Sequence, residues 1–208
     1  MSHAMRGARN KTFCYHPCSE TGLSANGRNK PEEAMRILAF VLLALFLDVG
    51  SASAWEEYKY PDQGVAIQFP AQPSAMKSSY KSILAKNLPA IVYAAELDHV
   101  IYRLTVIDLG GNAERGTSFL NEAGYELMRQ GTMTFTDFPR VYQDEKSIYG
   151  VTLVVDRKDG SRALSSLYDH KGRLYIAEAV VLAAHGDKDM TMASRYAQTI
   201  RFPPDSFD

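Results

Sequence analysis

The chain has 208 residues, 46% of them hydrophobic, and 23 lysines and arginines against 24 aspartates and glutamates, a net charge of −1. That balance excludes the basic footprint of a nucleic-acid binder and an extended acidic tail. From Trp55 onward there is no cysteine, so that part of the chain forms no disulfide in any compartment.

Residues 1–34 are polar, rich in Gly, Asn and Ser, and carry no apolar periodicity. Such a segment cannot bury enough surface to fold, so it reads as a disordered leader, either upstream of the true start at Met35 or an unusually long n-region of the signal that follows. It holds the only two cysteines, Cys14 and Cys18, in "CYHPC" around His16. Zinc takes four ligands, or three and a water, and no second Cys/His pair follows nearby. Residues 35–54 have the three parts of a secretory signal. Arg36 supplies the positive charge, Ile37 to Leu47 is an unbroken apolar run, and Ala52-Ser53-Ala54 is an A-x-A cleavage pattern. Cleavage after Ala54 leaves Trp55 as the first residue. The run is shorter than the roughly 20 residues a membrane span needs. No cysteine follows it for lipidation, and no twin-arginine pair precedes it.

The remaining 154 or so residues suit one domain of ordinary size, with about 17 Lys+Arg and 20 Asp+Glu. "EYKY" (Glu57–Tyr60) and "VAIQF" (Val65–Phe69) read as short strands around a "PDQG" turn. Pro70 and Pro73 break the pattern, and "SYKSILA" (Ser79–Ala85) alternates as a strand. "AIVYAAEL" (Ala90–Leu97) and "VIYRLTVIDL" (Val100–Leu109) follow, joined by a turn at Asp98-His99. Short connections between neighbouring strands favour antiparallel pairing.

After "GGNAERG", the spacing of Leu120, Ala123 and Leu127 predicts a helix from Ser118 to Arg129. Thr117 or Ser118 is positioned to cap it and Gly131 to end it. Strands resume with "TMTFTDF" (Thr132–Phe138), "SIYGVTLVV" (Ser147–Val155) and "SRALSSLY" (Ser161–Tyr168), with turns at Lys158–Gly160 and Asp169–Gly172. "RLYIAEAVVLA" (Arg173–Ala183) is apolar on both faces apart from Glu178. A strand of that kind wants cover on both sides, so it should be central. A last helix is expected from Lys188 to Ile200, with Met190, Ala193, Ala197 and Ile200 as its stripe and Asp187 as its N-cap. The order of strands, helix, strands, helix is that of an α+β domain with a mainly antiparallel sheet and two principal helices, one on each face. The expected domain spans residues 55–204, and residues 205–208 form a tail.

Three segments of this domain resemble the PsbP-like superfamily. "GVAIQFPAQP" (Gly64–Pro73) is similar to its opening strand and Phe-Pro. "GRLYIAEAVVL" (Gly172–Leu182) is similar to its central late strand, and "TIRF" (Thr199–Phe202) to its closing helix and final Phe. The resemblance implies an α/β/α sandwich around an antiparallel sheet and an accessory or binding role. It carries over no functional residue, because the superfamily shares no active site, and it does not imply a photosynthetic role.

Chemistry is sparse. "GNAERGTS" (Gly111–Ser118) has the glycine spacing of a phosphate-binding loop, but Thr117 stands where the lysine belongs. It reads as a polar connection. No G-x-S-x-G turn supports a Ser-His-Asp triad around His99, His170 or His185. "HGDKD" offers His185, Asp187 and Asp189 as ligands for a divalent ion, and equally reads as a helix N-terminus. Glu178 needs a partner if buried, with Arg103 or Arg173 in reach, or else sits near a sheet end or rim. Tyr93, Tyr102, Tyr168 and Tyr175 fall at strand positions suited to packing. No catalytic, cofactor-binding or metal residue is assigned. The expectation is an exported, non-enzymatic binding or accessory module with an envelope protein partner, in the periplasm or the medium. It has no cofactor and no nucleic-acid partner, and it meets the membrane only through its signal peptide. The alternatives are a small-ligand or metal-binding protein and an unrecognised hydrolase.

Overall fold

The computed structural model describes residues 55–143 and 146–203. The expected signal run, Ala52 and Ala54, the Cys14/His16/Cys18 cluster and residues 205–208 lie outside the described residues.

A two-stranded hairpin opens the domain. β1 (Glu56–Tyr60) pairs antiparallel with β2 (Val65–Phe69). Between them Pro61–Gln63 makes one 3-10 turn, and Gly64 closes it at φ 64°, a left-handed conformation that glycine takes without steric cost. β3 (Ser74–Lys81), β4 (Asn87–Leu97) and β5 (Val100–Asp108) form an antiparallel meander. Asp98 and His99 both have positive φ in the two-residue turn between β4 and β5, as a tight hairpin requires. A 3-10 segment (Gly110–Arg115) leads into helix α1 (Gly116–Met128). β6 (Gly131–Asp137), β7 (Arg140–Gln143), β8 (Lys146–Arg157), β9 (Arg162–His170) and β10 (Arg173–Val181) follow, and helix α2 (Thr191–Gln198) is the last helix among the described residues.

The main sheet runs β3-β4-β5-β10-β9-β8-β6, with β7 also on β8, and every pairing is antiparallel. β10 is therefore central, as its two apolar faces require. Tyr175, Ala177, Ala179 and Val181 meet one core, which also takes in Val65, Ile67 and Phe69 of the hairpin and Ala193, Tyr196 and Ala197 of α2. Leu174 and Ile176 meet the other core, with Phe119, Leu120 and Ala123 of α1. The α2 side is dense in aromatics. Tyr102, Tyr175, Tyr196, Phe69 and Phe202 are all fully buried there, each stabilising the fold by about 1.5–3 kcal/mol through removal from water. Trp55 joins them edge-on to Tyr102, its ring 5.3 Å away, under the Arg195 guanidinium at 4.9 Å.

Several expectations are corrected. The strand set at Ser79–Ala85 begins instead at Ser74, straight after Pro73, and ends at Lys81. The Ser82 hydroxyl donates to the Glu122 carboxylate of α1 at 2.6 Å and accepts from the Leu84 and Ala85 amides, which turns the chain out of the sheet. Neither Thr117 nor Ser118 caps α1, because the helix continues from the 3-10 segment at Gly116. It stops at Met128, so Gly131 opens β6 rather than ending the helix; a Cβ there would sit 1.9 Å from the Asp156 carbonyl. The last helix is shorter than predicted and Asp187 does not cap it. Asp189 does the local work, accepting from the Thr191 amide at 3.0 Å and its hydroxyl at 2.7 Å. Finally, β7 was not expected. It continues the β6 pairing with β8 beyond Phe138-Pro139, where the Gly150 amide donates to the Pro139 carbonyl at 2.9 Å.

Candidate functional site

A groove of about 370 Å³ opens between α2 and the β6–β7 border of the sheet. Its floor is Leu164 and Tyr168 of β9, with Thr152 and Ser166 hydrogen-bonded to each other at 2.7 Å. Phe135, Pro139 and Val141 form one wall; Ser194, Ala197, Gln198 and Ile200 form the other. Asp137 and Arg140 complete the lining along the β6–β7 border. The Tyr168 hydroxyl is pushed up to about 12 by burial, so the floor is uncharged at neutral pH. The lining mixes apolar side chains with Asp137, Arg140, Ser194 and Gln198, so the groove offers both packing surface and polar contacts to a ligand.

β8 alternation explains the layout. Ile148, Thr152 and Val154 face α2, whereas Leu153 faces α1. Phe135 pairs with Val154 and Asp137 with Thr152, so both face the groove. Phe138, Arg140 and Tyr142 alternate to the α1 side, where Arg140 pairs with Tyr149. Phe138 is 72% exposed, Tyr142 67%, Tyr149 66% and Phe135 53%. Four large exposed aromatics thus gather along one border, and such residues are enriched at the centres of interfaces.

Glu178 is not at a rim. It is 6% exposed, in the central strand. Arg157 donates to one carboxylate oxygen at 2.5 Å and Arg103 to the other at 3.2 Å, while the Ser165 hydroxyl lies 3.4 Å away. Arg103 was foreseen; Arg157, from β8, was not. Both oxygens are engaged by guanidinium groups, so Glu178 is an ion-paired brace that ties β5 to β8 across β10 and β9.

The histidines do not converge. His99 lies in the β4–β5 turn, and the Leu182 amide donates to its carbonyl at 3.0 Å, placing it at the same sheet end as His185. His170 ends β9 at the opposite end, its ring 5.2 Å from Phe202. The length of β10, about 26 Å at 3.3 Å per residue, separates the two ends. None of the three lines the groove. His185 Nδ1 sits 2.8 Å from the Asp187 carbonyl oxygen, and Asp189 is held below the usual carboxylate range by its Thr191 hydrogen bonds. Among the described residues no three His, Cys, Asp or Glu side chains are grouped as a metal ion would need. Likewise, no helix among them is long and apolar enough to cross a membrane.

A second hollow of about 360 Å³ lies over β3, β4 and β5, bordered by Lys77, Arg173, Asp108 and Gln63. Sequence reasoning found neither hollow. The groove draws on β6, β7, β8, β9 and α2, which meet only in the fold; of its residues the sequence marks Tyr168, Ala197 and Ile200, and those only as packing positions.

No family model matches the chain, and no curated protein matches it by sequence. Among solved structures it is similar to the solution structure of cyanobacterial PsbP (CyanoP) from Synechocystis. The identity is 12%, the match covers 74% of this chain and 95% of that one, and the TM-score is 0.45.

Proposed function

We propose that this chain is an exported, non-enzymatic binding or accessory module of the cell envelope, acting in the periplasm or the medium, with a protein partner held at the β6–β7 border. The observation that carries the reading is the gathering of Phe135, Phe138, Tyr142 and Tyr149 along one sheet border, Phe135 on the groove's face and the other three on the α1 face. Large aromatics left in water on one border cost solubility, and their concentration marks an interaction surface. The signal-like run before Trp55 supports export. The test is capture from envelope and medium extracts of the native host by the full chain carrying a C-terminal tag. It is run beside a Phe138→Ala/Tyr149→Ala variant of unchanged circular dichroism. A partner retained by the first and lost by the second is the expected result. A blank, or a partner held equally by both, counts against the reading.

The groove volume also suits a small amphipathic ligand, since pockets for such molecules begin near about 300 Å³. A metabolite screen by thermal shift separates the two readings, because a ligand of the folded state raises the midpoint. A hit abolished by Ala197→Phe, which fills the groove, with no protein captured, favours the small molecule.

A further inference from the structure

We infer that the β6–β7 border pairs with the same border of a second copy, joining two sheets into one. This goes beyond the partner reading: it concerns the backbone of the border, not the groove. Its failure would leave that reading standing.

The argument starts from register. Phe135↔Val154, Asp137↔Thr152, Arg140↔Tyr149 and Gln143↔Lys146 all belong to one unbroken antiparallel alignment, so residues 135–143 are a single edge strand interrupted only by Pro139. In an antiparallel strand the N–H and C=O of one residue point to the same side, and successive residues alternate. The Pro139 carbonyl accepts from Gly150, so residues 137, 139, 141 and 143 point inward to β8. Thr136, Phe138, Arg140 and Tyr142 therefore point their backbone groups outward, where among the described residues no strand pairs with them. Proline is a common guard of sheet edges, but here its missing N–H faces inward and leaves the outer row complete.

One two-fold register uses all four outward residues. Thr136 pairs with Tyr142 of the second copy and Phe138 with Arg140, with Pro139 meeting Pro139 at the axis. Each such pair exchanges two hydrogen bonds, about eight in all. The side chains agree with it. Arg140 lies against the Phe138 ring of the other copy, a cation–π contact made twice. Asp137 faces Val141, so no like charges are opposed, whereas a register that centres Arg140 sets arginine against arginine. The interface is isologous and closes as a dimer. It places the two grooves side by side on one face.

Sedimentation of the full chain over a concentration series is the test. The expected result is a reversible monomer–dimer equilibrium. Tyr142→Pro removes an outward N–H and no internal ladder bond, and should move the midpoint at least about tenfold upward in concentration with an unchanged circular dichroism spectrum. A second measurement does not depend on that variant folding. With Cys14 and Cys18 changed to Ser, Pro139→Cys should form an intermolecular disulfide on mild oxidation, because directly opposite residues of a non-hydrogen-bonded pair approach closely. Val141→Cys should not. A chain monomeric at sub-millimolar concentration overturns the inference. So does a dimer indifferent to Tyr142→Pro, or one that cross-links through Val141→Cys instead. A monomer that still captures an envelope protein at this border also overturns it, and assigns the border to that protein.

Discussion

The two borders of the main sheet are built differently. β3 presents Ser74–Lys81, "SAMKSSYK", nearly all exposed, with Lys77 and Lys81 along it. Lysine on an edge strand discourages a further strand, because pairing would strip its charge of water. The opposite border carries Phe135, Phe138, Tyr142 and Tyr149 and a full outward row of backbone groups. One sheet thus has a guarded edge and an adhesive one. Hydrophobic composition alone does not distinguish them; the placement of lysines and of one proline's missing N–H does.

The largest expected effect tests whether both borders depend on the brace between them. Glu178→Ala leaves Arg157 buried without its carboxylate, and should lower stability by about 3–5 kcal/mol in urea unfolding. A loss below 1 kcal/mol or so would mean that the guanidinium groups find other partners. Next, Gly150→Ala acts on the adhesive side alone. Its Cβ would stand 2.5 Å from the Tyr168 ring and 2.6 Å from the Leu167 carbonyl. The ladder must open there, at a cost of about 1–3 kcal/mol, and groove binding should fall even under conditions where the variant stays folded. Isothermal titration with whatever the groove retains reads this out, and unchanged affinity would show that Tyr168 is not a working part of the floor.

A smaller effect on stability but a sharper one on association is expected from reversing the guarded edge. Lys77→Ile/Lys81→Ile on a Tyr142→Pro background should change stability by no more than about 0.5 kcal/mol per site, yet bring back concentration-dependent association through β3. Continued monomer behaviour in sedimentation would show that lysines are not what guards that side. The smallest effect is acid sensitivity at the β8–β9 hairpin. Asp156 is held below its ordinary value of 3.8 mainly by the Arg162 guanidinium, with Lys188 adding to it. A carboxyl depressed in the folded state stabilises above its unfolded value and ceases to as pH falls through its folded one. The thermal midpoint should therefore drop on acidification below pH 3.8, and Asp156→Asn should flatten that part of the curve. An unchanged profile would assign the acid limb to other carboxylates.

The fold was legible where one residue's neighbours lie close in sequence or where pattern demands a layer. Asp98-His99 announced a turn, and the two apolar faces of β10 announced the centre of a sheet with cover on each side. Glu178 stood out for the same reason, as the wrong residue on an apolar face. What could not be read was pairing across distance. Arg157 reaches Glu178 because β8 lies two strands from β10, and no spacing in the chain encodes that. β7 was hidden by its brevity and by Pro139, which signals a break although the ladder runs through it. Phe119 and Tyr196, each fully buried, lie beside stripes that run correctly through Leu120 and Ala123 and through Ala193, Ala197 and Ile200 but are too narrow to include them. The groove was wholly invisible, being an absence of atoms between segments rather than a pattern within one.

The placement of β10 has a consequence for how the domain comes together. β3, β4 and β5 are one meander and β6 to β10 another, and within the sheet they are joined where β5 lies beside β10. Each meander closes through short connections, a fast local process, whereas the seam joins Val100–Asp108 to Arg173–Val181 across the whole second half of the chain. During synthesis the first half emerges with one flank of β5 unsatisfied until the last strand arrives. Loop-closure entropy therefore predicts that this seam forms after the local hairpins, and in pulse-labelled hydrogen exchange the β5 and β10 amides should gain protection last.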